Sequence, residues 1–192
     1  MNPEIADFIC TVLNDEEHDE AMQIGLLYAK ERNLPVKRFL ELDNKIGVPL
    51  PSHTKYPIRY RSIIRPIEFY CRAEITKGIR LPRNFVLNVS AHLEGCAKLL
   101  LETIEGAGCG NISLGVVLQR LAKLSAPSDL IEKCLAFNNL IYLRAKKDLD
   151  ILEEEHLFDI ADAVMIYFVA RKLAKQLLDV KKIKIPLNEV AN

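Results

Sequence analysis

No two cysteines of this chain stand in CxxC spacing: the five present (Cys10, Cys71, Cys96, Cys109 and Cys134) are odd in number and widely scattered. Zinc-ribbon and thioredoxin-like sites are excluded at that step. Long apolar runs are missing as well. The longest, Ala163 to Ala170, falls far short of the roughly 20 residues a membrane-crossing helix needs. Glu4 and Asp7 put negative charge where an export signal carries positive charge, so none is expected. Nor is there an excess of one sign: 26 Lys and Arg residues balance 26 Asp and Glu residues. Bulk attraction to nucleic acid or to an anionic membrane is therefore not expected. Scattered cysteines without a leader behave as small buried hydrophobes in a reducing compartment. The expectation is a cytoplasmic protein that makes no use of a membrane.

Strand-like alternation bounded by turn residues is absent, as are internal repeats and low-complexity tracts. What is present is helical spacing over a composition that is 49% hydrophobic, enough for a sizeable core. Asn2-Pro3-Glu4 reads as a helix start, followed by the stripe Ile5, Phe8, Ile9, Val12 and Leu13. A second helix opens near Asp15 and ends around Asn33, and a third runs from Pro35 to its stop at Gly47. Pro49, Pro51 and Pro57 mark an extended connector. The period resumes with Tyr60, Ile63, Ile64, Ile67, Tyr70 and Cys71 facing inward, and Pro66 is expected to kink that helix or end it early. Further helices are expected from Pro82 to Glu105, from Ser113 to Leu124, from Pro127 to Leu143 and from Asp159 to Asp179. The fold class is all-α, a multi-helix up-and-down bundle of about seven or eight helices. Residues 1–50 form an acidic N-terminal helical extension and residues 58–180 the main bundle.

Charge is segregated along the chain. Through residue 31, Glu4, Asp7, Asp15, Glu16, Glu17, Asp19, Glu20 and Glu31 face Lys30 alone. From Lys55 to Arg83 the sign reverses, with Glu68 and Glu74 the only acids. Arg61, Arg65 and Arg72 share one side of a continuous helix, a strip that suits phosphates. The competing reading packs the acidic helices near the basic one, and zero net charge favours it.

Glu153-Glu154-Glu155-His156 has the i, i+3 Glu/His spacing of di-iron bundles, but Asp15-Glu16-Glu17-His18 offers only an Asp at the matching position. An acidic run entering a helix ordinarily complements the dipole, so no metal or cofactor is assigned, and a di-metal carboxylate bundle stands as an alternative. His92 lies on an apolar face, where a lone histidine is ordinarily a core residue with its nitrogens satisfied. Gly106, Gly108 and Gly110 lack the Lys-Ser/Thr of a phosphate loop and read as a helix stop.

The C-terminal half carries a run of landmarks: Leu93 to Leu100, Ser113 to Leu118, Leu135 to Tyr142 leading into Arg144-Ala145-Lys146-Lys147-Asp148, and His156 to Val164 continuing to Arg171-Lys172-Leu173. This order resembles the HEPN (higher eukaryotes and prokaryotes nucleotide-binding) superfamily over residues 84–180. The resemblance implies a core of about four helices, frequent dimerisation, and either RNA cleavage or non-catalytic nucleotide or RNA binding. Members include ribonucleases of toxin–antitoxin and phage-defence systems. The family's ribonuclease motif places a histidine four to six residues after an arginine. Here Arg144 is followed by Ala145, and the next histidine is His156. Where related branches carry Lys-His-Asp, this chain has Lys146-Lys147-Asp148. Lysine stays protonated at neutral pH and does not replace histidine as a proton acceptor. The resemblance then leaves a non-catalytic binding module, expected as a homodimer, for a nucleotide, RNA or protein partner. Its binding residues would be Asn139, Arg144, Lys146, Lys147 and Asp148. The alternatives are a helix C-terminus with its usual basic residues, and a ribonuclease with a displaced Arg144/His156 pair.

Overall fold

Asn2 caps the first helix: its side chain accepts the backbone N–H of Glu4, and Pro3 fills the first turn of α1 (Pro3–Val12). α2 (Asp15–Glu31) opens on a reciprocal exchange in which Asn14 and Glu17 each accept the other's backbone N–H. α3 (Val36–Ile46) stops at Gly47. The computed structural model describes residues 2–31, 35–50, 56–124, 126–147 and 158–186.

Of the two outcomes expected at Pro66, a kink or an early end, the early end does not occur. After a tight turn at Ile58–Tyr60, α4 covers residues 61–77 without a break, although Pro66 sits inside it. Pro66 has no N–H to offer the preceding turn, and its ring crowds that turn. The backbone widens into a π-helical stretch, Pro66–Cys71, and so absorbs the defect instead of ending the helix. The widening also shifts the register of side chains. Tyr70, expected to face inward, is 53% exposed, beside Phe69 at 47%.

α5 (Pro82–Glu105) ends at Gly106, whose φ of 69° is the left-handed stop expected there. α6 (Leu114–Lys123) follows, with Ser113 ahead of it making no side-chain cap bond. α7 covers residues 128–146 and contains a second π-helical stretch at Asn138–Tyr142. α8 (Ile160–Asp179) begins with a capping box between Asp159 and Asp162. These are eight helical rods, with no strand among the described residues.

α8 is the axis. Every residue from Asp162 to Arg171 is buried, so this helix is enclosed on all sides rather than along one stripe. Its neighbours are α5, α2, α3, α1 and α7. One apolar cluster runs from Ile5 to Ile185, so the acidic N-terminal helices and the rest of the bundle share a single core. Cys71, Cys96, Cys109 and Cys134 are buried within it, while Cys10 is exposed. Among the described residues no helix is long and apolar enough to cross a membrane.

α4 and α5 approach closely at Gly95, where a Cβ would stand 2.9 Å from the Ser62 carbonyl oxygen. Both sides of that contact are backbone, which cannot swing away. Gly95→Ala is expected to destabilise the fold by about 1–3 kcal/mol through overpacking. Thermal unfolding followed by circular dichroism should show a midpoint several degrees lower.

Candidate functional site

Two charged residues occupy positions on apolar stripes. Asp43 follows Phe39 by one turn on α3, and Arg171 follows Tyr167 by one turn on α8; both are buried. Arg171 Nε donates to Asp43 Oδ1 at 2.6 Å, and its Nη2 donates to the Val48 carbonyl at 2.6 Å. Arg72 Nη2, from α4, donates to Asp43 Oδ2 at 2.5 Å, and its Nη1 to Glu68 at 2.5 Å. Two guanidiniums thus hold the Asp43 carboxyl below its usual range against the opposing pull of burial. This pair of ion pairs fastens α3, the chain after it, α4 and α8 to one another.

His92 completes the cluster. Its Nδ1 lies 2.8 Å from the Ile63 carbonyl, and its Nε2 lies 3.0 Å from Arg171 Nη1. A carbonyl only accepts and a guanidinium only donates, so the proton sits on Nδ1 and the Nε2 lone pair is taken. Burial, followed by the Arg171 charge, pushes the imidazole down to about 3. His92 is therefore a core residue with both nitrogens satisfied, and its lone pair is not available to a substrate proton.

The sign of the resulting pH dependence follows. Unfolded histidine takes a proton near pH 6.5, whereas folded His92 does so only near 3, so the unfolded chain binds more protons between those values. The contribution is whole above pH 6.5 and is lost as pH falls toward 3. Asp43, with its lowered folded pKa, acts in the same direction at the acid end. Urea midpoints of the wild type are expected to fall from pH 6.5 downward. A His92→Gln variant should show a flatter profile above pH 5, where most carboxylates are still ionised.

The residues expected at the α7 terminus are held by other charges. Arg144 donates to Glu4 at 2.9 Å, joining α7 to α1. Lys146 lies 3.8 Å above the Tyr142 ring and 3.9 Å from Glu94, which also accepts from Lys98 and from Tyr142. The helix carbonyls are satisfied from another helix: Arg83 of α5 donates to the carbonyls of Ala145 and Lys147 at 2.8 and 2.6 Å. Lys147 is exposed, and exposed Asn139 accepts from Asn138 at 3.0 Å. Asp148, the Glu153 to Glu155 run and His156 lie outside the described residues. Among the described residues no three His, Cys, Asp or Glu side chains come together to hold a metal.

The basic strip divides. Arg72 is turned inward onto Asp43 and Glu68, while Arg61 and Arg65 are exposed and have no ion-pair partner among the described residues. The acidic block does not reach them. Glu20 takes Arg38 bidentately at 2.8 and 2.7 Å, Glu16 takes Lys45 at 2.9 Å, and Glu17 takes Lys172 at 2.5 Å. Among the described residues the two blocks form no ion pair with each other: Glu16, Glu17 and Glu20 of α2 pair with α3 and α8. What remains on α4 is Arg61, Arg65, Phe69, Tyr70 and Lys77, all exposed, with exposed Arg59 in the turn before it.

Comparison of the chain with protein-family models, curated proteins and solved structures finds no match.

Proposed function

We propose that the protein is a non-catalytic helical binding module whose partner is an RNA strand lying along the basic, aromatic face of α4. The observation that carries this reading is that Arg61 and Arg65 are exposed with no ion-pair partner among the described residues, while Glu16, Glu17 and Glu20 of the acidic block pair with α3 and α8. Guanidiniums exposed in series meet successive phosphates, and aromatic rings between them offer stacking faces. The HEPN-like order of helices over residues 84–180 is part of the same reading, with binding in place of cleavage. The buried Asp43 cluster beneath the face has a positioning role: Arg72 ties α4 to α3 and α8 from below. Fluorescence anisotropy with a labelled oligouridylate tests the reading. Binding by the wild type and its loss in Arg61→Glu/Arg65→Glu are the expected results; equal binding by both proteins, or none by either, would overturn it.

A further inference from the structure

A cavity of about 330 Å³ opens where α4 meets the start of α5, at one end of the basic, aromatic face. That volume lies at the small end of ligand pockets. Phe69 and Tyr70 come to its wall from the π-helical stretch, Lys77 and Arg80 from the end of α4 and the turn after it, and Asn84 and Asn88 from α5. Asn84 and Asn88 are spaced i, i+4, so both carboxamides stand on the same side of α5.

Each of these groups has a counterpart in one chemical class. Aromatic faces stack on bases of any sequence. A carboxamide presents a donor and an acceptor together, the pattern that base edges complement. Lysine and arginine at the mouth suit the phosphate that accompanies a base. Glu74 shares the wall, and burial raises its pKa above the usual carboxylate value while the nearby Arg80 opposes that rise. The placement of the rings depends on Pro66. Without the widened turn Tyr70 would follow the inward period of Ile63, Ile64 and Ile67 rather than stand at the cavity.

We propose that this cavity is a nucleobase subsite, in which a base stacks on Tyr70 and Phe69 and meets Asn84 and Asn88 through its edge while Lys77 and Arg80 take its phosphate. The inference rests on the reading that α4 carries the strand, and it makes that strand single-stranded, since a paired base has its Watson–Crick edge occupied and its faces stacked within the duplex. The phosphate-bearing base could also come from a free nucleotide, and the test separates the two sources.

Wild-type protein is titrated with a short oligoadenylate, with an abasic oligonucleotide of the same length and phosphate number, and with adenosine monophosphate. The base-bearing strand is expected to bind roughly tenfold more tightly than the abasic one, a typical contribution for one stacked base. Tyr70→Ala and, separately, Asn88→Ala are expected to shrink that gap while leaving the salt dependence of binding unchanged. Equal affinity of the wild type for both strands would overturn the subsite and leave the strip on α4 standing. Failure of both strands to bind would overturn the strip and the subsite together. Adenosine monophosphate binding as tightly as the strand would keep the cavity and overturn the strip.

Discussion

Asp43→Ala is expected to lower the stability of the fold by about 3–5 kcal/mol, the range for removing one partner from a buried ion pair. The reason lies in what stays behind. Arg171 is 1% exposed and cannot reach water, so its charge would remain in the core with only the Val48 carbonyl and His92 as partners. Arg72 would suffer less, because Glu68 still holds its other terminal nitrogen. Removing both charges together tells the two effects apart. Asp43→Ala/Arg171→Met leaves no stranded charge in the core, and it is expected to be more stable than either single variant. Urea unfolding of the four proteins gives the coupling directly. A double variant no more stable than the singles would mean that the cluster does not act as a pair.

Arg61→Glu/Arg65→Glu is the second large effect, and here the fold is expected to be untouched. Both side chains are exposed and unpaired among the described residues, so the unfolding midpoint should match the wild type within experimental error. Affinity for single-stranded RNA should fall by roughly a hundredfold, since each charge-assisted contact to phosphate contributes about 1.5 kcal/mol or more. Each of the new carboxylates also repels the strand. By contrast, Lys45→Glu and Arg38→Glu, which break pairs with Glu16 and Glu20 on α2, should leave RNA affinity nearly unchanged. That contrast distinguishes a localised face from a general dependence on net charge.

The fold was largely legible in the sequence because its punctuation is chemical. Asn2-Pro3, Gly47, Pro82, Gly106 and Asp159 each sit at a helix boundary, for reasons of capping or backbone freedom. Pro66 was the exception. A proline inside a helical period signals a kink or an early end, and nothing local to it shows that a π-helical stretch carries the rod through. That one event moved Tyr70 from the expected core to the surface and turned Arg72 from the basic strip toward Asp43.

The candidate site was legible only in part. The charge blocks were visible, but which acids meet which bases depends on how the helices pack. The sequence reading packs the acidic helices near the basic one with each face solvated or paired; Glu20, Glu16 and Glu17 find their partners in Arg38, Lys45 and Lys172 on α3 and α8. The buried cluster had a signal that periodicity does contain. Asp43 and Arg171 each occupy a place on an apolar stripe, one turn from Phe39 and Tyr167, where an ionisable residue needs a partner. Nothing in the sequence pairs them, since they stand 128 positions apart along the chain.

The most direct measurement is the salt dependence of wild-type binding to an oligouridylate. If Arg61 and Arg65 on α4, with Arg59 from the turn before it, meet phosphates, affinity should fall steadily with sodium chloride. A slope of about −2 in logarithmic coordinates corresponds to these three contacts on a single strand, and the phosphate taken by Lys77 and Arg80 makes it steeper. Charge reversal at 61 and 65 should make the slope shallower by about 1.4, the value for two lost contacts on a single strand. Binding indifferent to salt, or no binding even at low ionic strength, would contradict the claim that the acids of α2 leave this face uncompensated.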